Sequence, residues 1–160
     1  MKVMIGSDHH GVQVRVDLSG FVRRLGHEVI DVGPDPKNIE PIDYPDVAEE
    51  VARAVSQKEA DRGILICGTG IGMSIVANKF PGVRAAPVID ELTAEMSRRH
   101  NDLNVLCLSG DLLTEMMIDR VVEIWLKSEF AGGRHKRRND KIAELEQRQI
   151  RLNLENRTDT

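Results

Sequence analysis

Five short apolar runs constrain this chain more than any other feature. They cover residues 3–7, 28–32, 63–67, 85–89 and 105–108, are rich in Val and Ile, and are bounded by Gly, Asp or Asn. Segments with helical spacing separate most of them. Residues 12–25 repeat apolar side chains every three or four positions (Val14, Leu18, Phe21, Val22, Leu25) and stop at Gly26. Pro45 opens a second helical segment with Val47, Val51 and Val55 on one face, and residues 72–80, 91–99 and 114–130 supply three more. Strands alternating with helices predict an α/β fold, a Rossmann-like three-layer α/β/α sandwich with a five-stranded parallel sheet. No internal repeat or low-complexity linker divides it. Residues 1–150 read as one domain and 151–160 as a polar tail that either packs on a partner subunit or is disordered.

Composition removes several function classes. A net charge of −4 gives no dominant positive field for nucleic acid, and 3% aromatic content gives no stacking platform for single strands. No apolar run approaches the roughly 18 residues needed to span a bilayer. Residues 1–6 enter the first strand pattern directly, so no signal peptide is expected. Cys67 and Cys107 sit in similar apolar runs that end in glycine, which suits a reducing cytoplasm better than a disulfide framework. The expectation is a cytoplasmic protein without nucleic-acid or membrane partners.

Open parallel sheets bind ligands outside the carboxyl ends of their strands. There the first strand leads into Ser7-Asp8-His9-His10-Gly11 and the third into Cys67-Gly68-Thr69-Gly70. The fourth ends at Asp90, the fifth at Ser109-Gly110-Asp111, and Asp43-Tyr44 lies in the Pro-rich loop after the second. One rim therefore collects carboxylates, histidines and a thiol.

The glycine loop fails three familiar patterns. A dinucleotide fingerprint needs a third glycine where Met73 stands. No Walker lysine follows, since Lys79 is seven residues beyond Gly72, and a cysteine phosphatase would want an arginine at position 73. What is left is a set of backbone N–H groups at a helix start, an anion hole for something small. Cys67 beside it reads as a thiolate base or nucleophile, or else as a buried cysteine filling a strand end. Thr69 reads as an oxyanion donor or a helix cap. Asp8 and the His100-Asn101 pair also read as caps, and the basic run at 134–138 as a solvated charge run. Following Gly132-Gly133, that run makes a loop able to fold over a site and clamp phosphate.

Together Ser7-Asp8-His9, Asp43-Tyr44-Pro45, Cys67-Gly68-Thr69-Gly70-Ile71-Gly72, Ala77-Asn78-Lys79, His100-Asn101-Asp102-Leu103-Asn104-Val105 and Gly132-Gly133-Arg134-His135 are highly specific. On these residues the chain resembles the type B ribose-5-phosphate isomerases and the related galactose- and allose-6-phosphate isomerases. The resemblance spans roughly residues 1–150. It implies a metal-independent aldose–ketose isomerase with no cofactor, working through a cis-enediol. It implies Cys67 as the base, with Thr69 and the amides of the loop, Gly68, Gly70, Ile71 and Gly72, around the enediolate. Some members use a glutamate where this chain has Met73, so the base role falls to Cys67 alone. His100 is implied as the acid that opens the furanose ring, and Asp8 as the group handling a neighbouring hydroxyl. His9, Arg134 and Arg138 are implied at the phosphate, and Tyr44 and Asn101 along the sugar. Two chains share each site in the family, so a homodimer or a tetramer is implied. One departure stands out: many members carry a phosphate-binding arginine after strand five, and this chain carries Asp111.

Ribose 5-phosphate is the first expectation for the substrate, with another pentose or hexose phosphate, or a free sugar, as the alternative. A non-enzymatic sensor of a small anion or nucleotide is the competing class. The cysteine and histidine together favour catalysis, because a sensor needs only the glycines and arginines.

Overall fold

The computed structural model describes residues 1–158. The last two residues of the expected polar tail, 159 and 160, lie outside the described residues. All five expected strands form: β1 (Lys2–Ser7), β2 (Glu28–Val32), β3 (Arg62–Cys67), β4 (Ala85–Pro87) and β5 (Val105–Ser109). They make one parallel sheet in the order β2-β1-β3-β5-β4. β4 is shorter than its apolar run because it is an edge strand that reaches Pro87, which has no N–H to give a ladder.

Among the described residues six α-helices accompany it: α1 (Val12–Arg24), α2 (Tyr44–Ser56), α3 (Ile71–Ala77), α4 (Glu91–Asn101), α5 (Glu115–Lys127) and α6 (Arg134–Thr158). Successive strand residues point to opposite faces, and both faces are covered. Val3, Ile5, Ile64, Ile66, Leu106 and Leu108 join the core under α1, α4 and α5, where Trp125 is fully buried. Met4, Leu65, Cys67, Val105 and Cys107 join the core under α2 and α3. This alternation explains why the strands read as continuous apolar runs. It also places both cysteines on the α2–α3 side.

The sequence pattern missed α6. Residues 134–158 contain neither glycine nor proline and are dominated by Arg, Lys, Glu, Gln and Leu, all good helix formers. The expected loop at 134–138 is instead the first part of this helix. Gly132 and Gly133 take left-handed backbone angles (φ 67° and 54°), and their carbonyls accept the N–H groups of Lys136 and Arg137. The helix then passes residue 150 without a break.

The order of the strands reverses between β1 and β3, since the chain moves from β1 to one side for β2 and to the other for β3. Such a switch point leaves a crevice at the carboxyl ends of the two strands. The pairing of Ser7 with Ile66 sets Asp8 beside Cys67 there.

Candidate active site

The rim is built from three turns fastened to one another. Asp8 donates its N–H to the Ile66 carbonyl, extending β1 by one bond. Its Oδ1 accepts from the N–H groups of His10 (2.9 Å) and Gly11 (3.3 Å), which winds residues 9–11 into a single 3-10 turn. Asp8 is thus a cap, as one of its two readings had it, and it is also a buried carboxylate (5% exposed) next to the thiol. His9 is pinned from the other side, its Nδ1 lying 3.2 Å from the Ile42 carbonyl.

The second turn carries Cys67. Its side chain is 6% exposed, and Sγ accepts the N–H of Gly70 at 3.2 Å. Gly70 takes a left-handed φ of 77°, which folds the loop back on its own cysteine and starts α3. Thr69 Oγ1 accepts the Ile71 N–H at 3.3 Å, so its hydroxyl proton remains to be donated elsewhere. Gly72 faces Tyr44: a methyl group added there would sit 2.7 Å from the phenol ring. Glycine at this place lets the Tyr44 ring lie against α3 and wall the rim. Met73, the next residue along α3, is fully buried in the core.

Cys107 is different in kind. Burial first, and then the nearby Cys67, push its thiol well above the ordinary cysteine range. It has the chemistry of a core side chain.

His100, Asn101, Arg134 and Arg138 lie elsewhere. α4 starts at the carboxyl edge, after β4, and runs back to the amino edge. There Asn104 donates its N–H to the Arg84 carbonyl and accepts the Gly63 N–H, so the residues just before it flank the strand starts. Cys67 is at the far end of a six-residue strand. At about 3.3 Å per residue the two groups are roughly 15–20 Å apart. Asp102, in a left-handed turn (φ 50°), closes α4 and bridges Arg84 (2.8 Å) and the largely buried Arg98 (3.0 Å). This network fixes the end of the helix. His100 stacks on His135 with ring centroids 4.1 Å apart and planes 2° from parallel. Partial desolvation, and then the nearby His100, Arg134, Arg138 and Arg99, hold the His135 imidazole below its ordinary pKa. A cluster so rich in positive groups suits an anion.

The rim thus unites Asp8, His9, Tyr44, Cys67, Gly68, Thr69, Gly70, Ile71 and Gly72. The amino edge unites His100, Asn101, Arg134 and Arg138, and adds His135, which sequence reasoning left out. Asp111 does not cap α5, because Thr114 does so through Oγ1 and the Met117 N–H. It stands at the rim with its carboxylate 3.9 Å from His10 Nδ1. Among the described residues no three His, Cys, Asp or Glu side chains gather closely enough to hold a metal ion. No described helix is long and apolar enough to cross a membrane.

Fold and rim together define a parallel α/β domain with a thiol held in a glycine loop at the topological switch point. Comparison with known proteins gives that class its family: the chain belongs to the ribose/galactose isomerase family, whose pattern matches residues 3–142. It is 42% identical over 147 residues to ribose-5-phosphate isomerase B of Escherichia coli (strain K12), covering 92% of this chain and 97% of that one. The structure of ribose-5-phosphate isomerase B from Clostridium thermocellum superposes with a TM-score of 0.87 at 47% identity, covering 92% of this chain and 99% of the other. The Mycoplasma genitalium enzyme, crystallised with ribulose 5-phosphate bound, also gives 0.87, at 42% identity over 91% and 96% of the two chains.

Proposed function

We propose that this protein interconverts ribose 5-phosphate and ribulose 5-phosphate through a cis-enediol, with Cys67 as the base. The observation that carries the reading is the Gly70 N–H aimed at Cys67 Sγ, beside the buried Asp8, in a chain of this family. Sγ takes the C2 proton of the open-chain aldose. The C–H electron pair forms the C1–C2 double bond, and negative charge collects on O1. Transfer of the O2 proton to O1, by way of the neutral cis-enediol, and return of the Sγ proton to C1 give the ketose. The Thr69 hydroxyl and the loop amides are the donors for the developing oxyanion. Asp8 accepts from a neighbouring hydroxyl while Oδ1 stays in its cap.

The ring-opening acid and the phosphate clamp come from a second copy of the chain. His100, Asn101, Arg134 and Arg138 lie a sheet's length from Cys67 in their own chain, whereas a partner's amino edge can be laid against the rim. Exposed Ile71 and Ile75 on α3, beside the rim, are the kind of side chains such a contact covers. The assembly is therefore a homodimer or a tetramer. A thiol base has to remain reduced, which supports a cytoplasmic setting. Residues 151–158 extend the single domain as the end of α6.

The test is turnover of ribose 5-phosphate, coupled to detection of ribulose 5-phosphate, beside a panel of tetrose, pentose and hexose phosphates and the matching free sugars. The reading expects the pentose phosphate to have the highest kcat/KM. Preference for a free sugar would overturn it.

A further inference from the structure

We propose that His10 and Asp111 form a further substrate-contacting pair, which reads a hydroxyl of the sugar rather than its phosphate. The proposal rests on the reading of the rim as a sugar site.

Asp111 is positioned by a clamp. Gly110 donates its N–H to the Cys67 carbonyl at 2.8 Å, and Asp111 donates its own to the Gly68 carbonyl at 3.4 Å. Ser109 Oγ donates to the Gly68 carbonyl and accepts the Leu112 N–H at 2.9 Å. The turn after β5 is thereby locked to the turn that carries the thiol. Its carboxylate overlies Gly68: a methyl group there would meet Asp111 Oδ2 at 2.8 Å. His10 reaches the same place from the turn after β1, with its ring 4.6 Å from that of His9.

Nothing in the fold needs this pair. The two side chains are 55% and 54% exposed at a separation of 3.9 Å, and so open a contact contributes little to stability. Asp111 does not cap the helix that follows it. The Asp111 carboxylate nevertheless projects over the residue next to Cys67, with the His10 imidazole 3.9 Å from it. With Asp8 and Asp111 on this side of the rim, a phosphate would meet like charge. A sugar hydroxyl would not, because it donates to the carboxylate and accepts from, or donates to, the imidazole. The pair is thus built for a neutral donor–acceptor group. The phosphate is left to His9 and the partner's cationic edge.

Calorimetric binding of ribose and ribose 5-phosphate to Cys67→Ala, alone and combined with His10→Ala or Asp111→Asn, tests this without turnover. Both positions are exposed, so the variants leave the core intact. The expected result is that Asp111→Asn weakens both ligands by the same factor, about tenfold or more, the scale of one hydrogen bond to a charged group. His10→Ala should weaken both in parallel by a smaller factor. Tighter binding of ribose 5-phosphate to Asp111→Asn with ribose unmoved would overturn the proposal, because the carboxylate would then face the phosphate. Unchanged constants for both ligands would overturn it as well, leaving a surface pair only. Failure of the isomerase reading appears separately, as absence of wild-type turnover.

Discussion

Two inactive variants should restore each other. In the proposed assembly each site takes Cys67 from one chain and His100 from the other. Cys67→Ala and His100→Ala homodimers therefore each carry two defective sites. Loss of a positioned acid or base typically costs about 10²–10⁴ in rate. A heterodimer of the two has one site with both groups intact and one with neither. Random pairing of equal amounts makes about half the dimers mixed, each with one working site of two, so the mixture should recover about a quarter of wild-type activity. Co-expression with two different affinity tags, followed by isolation of the doubly tagged dimer, should give about half the wild-type rate per dimer. The assay is ribulose 5-phosphate production at saturating substrate. If the isolated heterodimer is as inactive as its parents, Cys67 and His100 do not meet across two chains, and the argument from their placement at opposite sheet edges fails.

Other consequences can be checked singly. Arg134→Ala and Arg138→Ala should each raise KM for ribose 5-phosphate about ten- to a hundredfold and leave free-sugar binding nearly unmoved, since a charged hydrogen bond to phosphate is worth about 1.5–3 kcal/mol. Asp102→Ala leaves Arg98, 8% exposed, without its carboxylate and should cost about 1–3 kcal/mol, read as a drop of a few degrees or more in Tm. Because burial holds Cys107 well above the ordinary cysteine range, it stays protonated through pH 9, so iodoacetamide on the native protein should label Cys67 and spare Cys107 until the chain unfolds. Turnover should survive EDTA, since Thr69 and the loop amides supply the oxyanion donors; complete loss restored by one specific metal would contradict that.

The sheet was legible because its strands are buried on both faces, which leaves unbroken apolar runs such as residues 63–67 and 105–108. The rim was legible from one general rule about strand ends, together with Asp8, Cys67 and the glycines. α6 was not, because most of its side chains are exposed and its apolar residues are too sparse to form a stripe. Its signal was the absence of Gly and Pro from 134 to 158, which the preceding Gly132-Gly133 masked. The separation of His100 from Cys67 was readable too, because a crossover helix in a parallel sheet starts at the carboxyl edge and ends at the amino edge, so a residue closing the helix before β5 falls a strand's length from Cys67. The role of Asp102 in tying Arg84 to Arg98 needed coordinates too, since a left-handed aspartate after a helix looks like any loop residue.

The central claim is that Cys67 moves a carbon-bound proton of a sugar phosphate. Proton NMR of ribose 5-phosphate incubated with the protein in D2O addresses it most directly, because an enediol intermediate lets solvent deuterium enter at carbon. Wild type should form ribulose 5-phosphate and incorporate deuterium, and Cys67→Ala should do neither, at the same protein concentration and with its fold intact by circular dichroism. Exchange and isomerisation at the wild-type rate in Cys67→Ala would contradict the account.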